Sequence, residues 1–175
     1  MIDRPALRTL VGRRKVVGCE IGVGEGINAL QILRGLDVKK LYLIDPYDRY
    51  KDSPEQVDVM VTPANGKEAL AKKKLEEYSD KLVWIKELSS LAYTKIPSEE
   101  LDFIYIDGNH SYKHVKEDIL NYFSKIKIGG LMSGDDYNHP MDEYGVKRAV
   151  DEIFGDLTVH KMRHNLDAED WWVTR

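Results

Sequence analysis

The sequence predicts an α/β fold of three layers, with a mostly parallel sheet between helices and an antiparallel strand near its C-terminal end. Short apolar segments alternate with segments whose apolar residues recur at helical spacing. Several of the apolar segments end in an acidic residue, and the first is followed by a glycine turn. Strands and helices that alternate in this way favour parallel strands covered by helices on both faces.

The glycine turn is the most informative stretch of the chain. Residues 16–21 form an apolar, β-branched run that predicts a buried strand, and residues 28–36 have a helical pattern. Gly22, Gly24 and Gly26 lie between them. Glycines there allow a sharp turn and close approach of a ligand, and the following helix offers free N–H donors. Such turns bind nucleotides or nucleoside-like cofactors, although a tight turn without a ligand remains the alternative at this point.

Bulk properties exclude several classes of protein. The chain has 175 residues, 42% of them hydrophobic and 32% charged, which predicts a single folded domain over residues 1–175. A net charge of −4 disfavours general binding to nucleic acid or to an anionic membrane. The sole cysteine, Cys19, excludes an internal disulfide and is expected to pack in the core. Without an N-terminal signal or a long apolar run, we expect a cytoplasmic protein.

The second strand is expected over residues 41–44 and ends at Asp45, 19 residues beyond Gly26. A carboxylate there can accept both hydroxyls of a ribose, although an acid that merely closes a strand is the alternative. The stretch from Pro46 to Asn65 contains three prolines and predicts an irregular loop. A loop of this length is often functional, so Tyr47, Arg49 and Tyr50 are candidates for a lid.

The remaining elements follow from apolar spacing. A short leading helix is expected at residues 5–10 with Asp3 as its N-cap, and a longer one at 66–78. A third strand, residues 82–85, precedes Glu87 and Ser89, which could reach an adenine edge. A fourth, residues 101–106, ends at Asp107. The helix after it is expected to end at Gly129 and Gly130. The last elements are a strand before Asp135, a helix at 146–154, and strands at 157–162 and 171–174.

Acidic residues follow several of the strands, and no packing requirement explains them. Close carboxylates repel and raise each other's pKa, and a divalent cation relieves that conflict. Asp107, Asp135 and Asp136 therefore predict an oxygen-ligand site for Mg²⁺, with Ca²⁺ or Mn²⁺ as alternatives; ordinary turn residues are the other interpretation. His110, three residues past Asp107, is a candidate general base, and His139 is a weaker one.

Four motifs together resemble a known family. They are Glu20-Ile-Gly-Val-Gly-Glu-Gly26, Asp45-Pro46, the run from Leu101 to Tyr112 that contains Asp-Gly-Asn-His-Ser-Tyr, and Gly129 to Tyr137. They are similar to class I S-adenosylmethionine-dependent methyltransferases. The most similar group is the small enzymes with Asp-Gly-x-His-x-Tyr after the fourth strand, which includes macrocin- and mycinamicin-type sugar O-methyltransferases. Catechol O-methyltransferases are more distant. The resemblance covers about two thirds of the chain, from Val16 to Tyr137.

The resemblance implies a Rossmann-like fold, S-adenosylmethionine as cofactor and a role for each matching residue. The cofactor would contact Glu20, Gly22, Val23, Gly24, Asn28, Asp45, Pro46, Glu87, Ser89 and Asp107. The metal would be held by Asp107, Asp135 and Asp136, with His110 or Asp107 beside the accepting hydroxyl. The metal polarises that oxygen and lowers its pKa.

Two departures from the family pattern affect these expectations. Asn28 replaces a small hydroxyl residue, and Asp136 stands where the catechol type has Asn. The chain also lacks the long N-terminal helices that cover the acceptor in many relatives, so a partner subunit in a homo-oligomer or the Pro46–Asn65 loop is expected to supply that cover.

The leading hypothesis is O-methylation of a small hydroxylated acceptor, assisted by a divalent metal. One alternative is a nicotinamide-dependent oxidoreductase on a similar sheet. It is disfavoured because the glycines are spaced G-x-G-x-G instead of G-x-G-x-x-G. The other is a non-catalytic member of the family that binds the cofactor as a sensor or within an assembly.

Overall fold

The computed structural model describes residues 2–47, 64–140, 144–155, 158–164 and 168–175, with the backbone only for residues 64 and 65. Most of the loop expected between Pro46 and Asn65 therefore lies outside the described residues, including Arg49 and Tyr50. No helix in the described ranges is both long enough and apolar enough to cross a membrane.

The described strands form one sheet in the order β3-β2-β1-β4-β5-β7-β6. The strands are β1 (Val16–Ile21), β2 (Val38–Ile44), β3 (Leu82–Ile85), β4 (Leu101–Ile106), β5 (Ile126–Gly134), β6 (His160–Arg163) and β7 (Glu169–Thr174). Strands β1 to β5 pair in parallel, and β7 runs antiparallel to both of its neighbours. The predicted fold class is confirmed.

Helices cover both faces of this sheet. They are α1 (Pro5–Arg8), α2 (Ile27–Gly35), α3 (Ala64–Lys74), α4 (Ser89–Ala92), α5 (Tyr112–Phe123) and α6 (Val146–Phe154), with 3₁₀ turns at Glu76–Lys81 and Tyr93–Lys95. The apolar residues of α1, α2 and α3 pack in one core layer, and those of α4, α5 and α6 pack in the other. The sheet lies between these two layers.

Register places the carboxyl ends of the central strands side by side. Ile21, at the end of β1, pairs with Ile44 of β2 and with Ile106 of β4. Ile106 pairs in turn with Gly134 of β5. The residues that follow these four ends, Gly22, Asp45, Asp107 and Asp135, therefore lie along one line, which we call the carboxyl edge.

Several expected element boundaries are wrong. The helix before β5 ends at Phe123, and Gly129 and Gly130 lie inside β5. The N-cap of α1 is Arg4 instead of Asp3. The helix expected at residues 66–78 begins at Ala64 and ends at Lys74. The penultimate strand is shorter than expected, beginning at His160, and residues 156–157 lie outside the described residues.

Candidate active site

The glycine turn after β1 is closely fitted on one side and open on the other. Gly22 has φ +86°, and a Cβ there would lie 1.9 Å from the carbonyl oxygen of Asp107. Gly24 has φ +51°, and no atom of the described residues lies within 4 Å of its notional Cβ. Gly22 therefore serves the packing of β1 against β4, whereas Gly24 leaves room for a ligand to approach the backbone.

Asp45 is held in place by backbone donors from two segments of the carboxyl edge. Its Oδ2 accepts a hydrogen bond from the N–H of Gly24 at 2.9 Å, and its Oδ1 accepts one from the N–H of Tyr47 at 2.7 Å. The half-buried carboxylate is thus fixed beside the glycine turn, with lone pairs left for hydroxyl donors. Pro46 is half-buried, and Tyr47 is buried, with φ +52°.

Glu20 and Asn28 form a buried polar pair beneath the glycine turn. Asn28 donates from Nδ2 to Glu20 Oε1 at 2.9 Å. Within the described residues, Glu20 Oε2 and Asn28 Oδ1 have no hydrogen-bond partner, although both atoms are buried. Burial raises the pKa of Glu20 to about 8, and the hydrogen bond from Asn28 only partly opposes this. Two orphaned acceptors mark a place for a donor, ideally a cation.

Glu87 and Ser89, which follow β3, differ in their exposure and in their contacts. Glu87 is partly exposed and pairs with Lys95 at 2.6 Å. Ser89 is buried at the start of α4, where its carbonyl accepts a hydrogen bond from the Tyr122 hydroxyl at 2.8 Å. Val23 is buried in the glycine turn, where its carbonyl accepts from the N–H of Gly26.

The other acids at or near the carboxyl edge fall into two groups. In the first, Asp107, His110 and Asp136 each offer a ligand atom, and the three atoms lie within 4.8 Å of one another. His110 Nε2 is 3.4 Å from Asp107 Oδ1 and 3.5 Å from Asp136 Oδ2. Burial, with repulsion from neighbouring aspartates, raises the pKa of Asp136 to about 6 despite the attraction of His110.

Asp135 belongs to the second group, which is centred on Arg4. The Arg4 guanidinium contacts Asp135 directly and lies 3.4 Å from Asp107 and 4.0 Å from Asp170. His164 Nε2 is 2.8 Å from Asp135 Oδ1. Burial raises the pKa of Asp135, but Arg4 and His164 more than offset this and hold it below its usual value. A guanidinium therefore already contacts two of the three acids expected to bind metal, Asp135 directly and Asp107 at 3.4 Å.

The second group could not be found from sequence. Arg4 precedes α1 and Asp170 lies in β7, and neither belongs to a motif. The Asp170 carboxylate links β7 to α1 and to β4. It accepts a hydrogen bond from the N–H of Ala6 in α1 at 2.9 Å and another from the hydroxyl of Tyr105 in β4 at 2.6 Å. His164, between β6 and β7, likewise belongs to no sequence motif.

The His110 ring packs against Tyr144, a contact that the sequence does not predict. The Tyr144 ring stacks between the rings of His110 and His139, at centroid distances of 5.0 Å and 3.8 Å. The Gly145 N–H donates to the carbonyl of His110 at 2.8 Å. His139 therefore lies in the ring stack, one ring removed from His110, and the plane of the His110 imidazole is fixed by packing.

We expect the stability of the apo protein to fall as pH rises from about 5 to 8. Burial raises the pKa of Glu20 from 4.5 to about 8 and that of Asp118 from 3.8 to about 7. At pH values between the ordinary pKa and the raised pKa of each group, the folded state binds more protons than the unfolded state. The contribution of these two groups to the free energy of unfolding is therefore complete at low pH, and it is lost as pH rises through the raised pKa values of about 7 and 8. The loss should be on the order of a few kcal/mol.

Urea unfolding at several pH values would measure this dependence. The Glu20→Gln/Asp118→Asn double variant is the control, because the two substituted side chains cannot ionise. Its free energy of unfolding should vary much less over the same pH range. A wild type that is as stable at pH 8 as at pH 5 would contradict the prediction.

The architecture is that of class I S-adenosylmethionine-dependent methyltransferases. The family described as "Methyltransferase domain" matches residues 19–137. The chain belongs to this family. No curated protein matches it.

Solved structures share the fold at low identity. An rRNA methylase from Streptococcus thermophilus has a TM-score of 0.65 and 15% identity, and the alignment covers 100% of this chain and 98% of that one. A precorrin-6y C5,15-methyltransferase from Geobacter metallireducens has a TM-score of 0.67 and 12% identity, covering 97% and 85%. A cofactor-bound protein from MTB has a TM-score of 0.70 and 12% identity, covering 97% and 78%. At these identities the likeness shows the fold and not the acceptor.

Proposed function

We propose that this protein transfers the methyl group of S-adenosylmethionine to a hydroxyl group of a small acceptor, with assistance from a divalent cation. Family membership supports the methyl transfer, and the acid-rich carboxyl edge supports a hydroxyl acceptor. The single observation that carries the proposal is the buried Glu20 carboxyl, whose Oε2 has no partner in the described part of the chain.

Glu20 and Asn28 fit the amino-acid end of the cofactor. Both present a buried, orphaned acceptor beside the open side of Gly24. An α-ammonium group would satisfy these acceptors and would stabilise the ionised form of Glu20, which burial otherwise disfavours. Methionine in the cofactor carries such a group, whereas the dinucleotide of the alternative oxidoreductase offers no primary ammonium.

Asp45 and Ser89 fit the nucleoside end. Asp45 is oriented by two N–H donors and keeps lone pairs for the ribose hydroxyls. Ser89 follows β3, which is the neighbour of β2 in the sheet. The base attached to that ribose would therefore lie on the β3 side of Asp45, near Ser89. Glu87 is the weaker candidate because its carboxylate already pairs with Lys95.

Asp107, His110 and Asp136 would hold the divalent cation, because they combine two carboxylates and an imidazole within ligand distance of one another. When bound, the cation lowers the pKa of an acceptor hydroxyl and so supplies the nucleophile. Asp135 would remain with Arg4. Asp107 would receive the hydroxyl proton as the acceptor oxygen bonds to the methyl carbon and the carbon–sulfur bond breaks. If transfer proceeds without metal, His110 would take that proton.

Calorimetric titration tests the proposal. S-adenosylmethionine should bind the wild type, and NADH should give no signal. The titration is then repeated after removal of divalent metals and after Mg²⁺ is restored. A direct Mg²⁺ signal should be lost in the Asp107→Asn/Asp136→Asn variant. It should be retained in the control variant Asp102→Asn, because Asp102 lies at the other end of β4, where its carboxylate pairs with Lys127 in the wild type.

Each outcome has a distinct meaning. Absence of S-adenosylmethionine binding would overturn the proposed cofactor and the function with it. Cofactor binding without any Mg²⁺ signal would overturn the metal-assisted form and leave His110 as the base. An Mg²⁺ signal that survives in the Asp107→Asn/Asp136→Asn variant would place the metal elsewhere.

A further inference from the structure

Three side chains around Arg4 have the composition of a cation site that the proposed reaction does not use. Asp135, His164 and Asp170, which we call the second ligand set, each offer one ligand atom, and the three atoms lie within 4.8 Å of one another. His164 Nε2 is 2.8 Å from Asp135 Oδ1 and 3.6 Å from Asp170 Oδ1. Each side chain is at most 9% exposed. Carboxylates with so little access to water need a positive charge close by.

The Arg4 guanidinium supplies that charge from within the chain. One of its nitrogens, Nη1, contacts Asp135 directly and lies 2.6 Å from His164 Nε2 and 4.0 Å from Asp170 Oδ1. A single cationic group therefore lies against all three residues of the second ligand set. Because a guanidinium keeps its charge at every pH at which proteins fold, this cation is permanent.

The segment that carries Arg4 is anchored beside the second ligand set by contacts other than its ion pairs. The Ala6 N–H donates to Asp170 Oδ2 at 2.9 Å, and the Tyr105 hydroxyl donates to Asp170 Oδ1 at 2.6 Å. The Arg4 guanidinium lies over the Tyr105 ring, 5.5 Å from its centroid. A metal ion that entered the second ligand set would therefore have to displace a side chain held by the backbone and by an aromatic ring.

The other acids at this edge have the same ligand types but a different relation to Arg4. Asp107, His110 and Asp136, the first ligand set, also combine two carboxylates with an imidazole. Among the contacts of the described residues, Arg4 reaches this set at Asp107, where its Nη2 is 3.4 Å from Oδ2. The two sets thus differ in whether a guanidinium lies against every member.

We propose that the second ligand set is a cation site whose resident cation is Arg4, and that Arg4 thereby excludes divalent ions from it. A divalent ion there would meet a guanidinium at contact distance, and such a like-charge contact is strongly unfavourable. The site itself does not depend on the proposed function. The consequence that divalent ions bind at the first ligand set alone does rest on it, because it requires that set to bind one.

Mn²⁺ is a suitable probe, because carboxylate ligands suit it and its paramagnetism allows free and bound ions to be distinguished. The titrations use the full chain with Asp107→Asn/Asp136→Asn, which disables the first ligand set. This parent should bind Mn²⁺ weakly. Addition of Arg4→Ala should create one site and tighten binding by at least about 100-fold, since the resident charge is gone. Addition of Arg4→Lys, which retains the charge, should leave the affinity of the parent nearly unchanged.

Further substitutions assign the new site to its ligands. Asp170→Asn or His164→Asn, added to the Arg4→Ala protein, should abolish the new binding. His160→Asn, a change at an exposed histidine of β6, should leave it intact. Mn²⁺ should also raise the midpoint of thermal unfolding of the Arg4→Ala protein much more than that of its parent. Arg4→Gln, which retains a neutral donor, is tested in parallel in case Arg4→Ala does not fold.

Several results would overturn the inference. They are Mn²⁺ affinities for Arg4→Ala and Arg4→Gln equal to that of the parent, new binding that survives both Asp170→Asn and His164→Asn, and tight binding at the second ligand set while Arg4 is present. Failure of the proposed function gives a different result. A wild type that binds no divalent ion would overturn the metal-assisted form of that function, whereas Mn²⁺ uptake on Arg4→Ala would still support the second site.

Discussion

Replacing Arg4 by methionine is expected to lower the free energy of unfolding by about 3–5 kcal/mol. The Arg4 side chain is 17% exposed and faces Asp135 and Asp170, which are 7% and 0% exposed. Methionine fills similar space but leaves these carboxylates without their cation. The cost arises because uncompensated buried charges lose the solvation that they have in the unfolded chain.

Urea unfolding at pH 7 would measure the effect of Arg4→Met. Arg13→Met is the matched control, because Arg13 is exposed and its guanidinium contacts a backbone carbonyl. That control should cost less than about 1 kcal/mol. Addition of Asp135→Asn to Arg4→Met should recover part of the loss, since it removes one unpaired charge. Equal losses in the Arg4 and Arg13 variants would contradict the prediction.

Glu20→Gln is expected to weaken S-adenosylmethionine binding by about 10- to 100-fold, which corresponds to the loss of one charge-assisted hydrogen bond. The substitution preserves shape and can keep a contact to Asn28. It removes the negative charge that would face the ammonium group. Calorimetric titration of both proteins at pH 7 gives the ratio, and Glu77→Gln, an exposed change in the 3₁₀ turn, should have no effect.

The same titration has a second signature. Because the pKa of Glu20 is about 8 in the apo protein, most molecules carry a proton there at pH 7. Binding of a cationic group favours the ionised form, so close to one proton should be released. The apparent enthalpy should therefore depend on the ionisation enthalpy of the buffer for the wild type and much less for Glu20→Gln. Identical enthalpies in all buffers would show that no proton is exchanged on binding and would contradict this prediction.

The sequence predicted the carboxyl edge because its determinants are local. Each central strand is a short apolar run followed by a glycine or an acid, and parallel pairing aligns these ends without further information. Glu20, Asp45 and Asp107 therefore fall where the pattern places them. The buried core position of Cys19 followed from the same pattern.

Residues placed by long-range contacts could not be predicted in this way. Arg4 lies 131 positions from Asp135 along the chain, and nothing in its surrounding sequence indicates that it lies half-buried among acids. Tyr144 is a similar case, since its ring packs against the ring of His110, which belongs to another element. Which acids face Arg4 and which face His110 depends on this packing, so the pattern of acids in the chain does not reveal it.

The contacts of the segment before α1 also bear on the order of folding. The Ala6 N–H reaches Asp170 across 164 positions, and Arg4 joins β5 and β7 after both have been placed in the sheet. Closing such long loops costs entropy that few contacts repay until the sheet exists. These bonds should therefore form after the rate-limiting step. Changes at Arg4 should then accelerate unfolding and leave the folding rate nearly unchanged, so that this segment governs how long the native state persists.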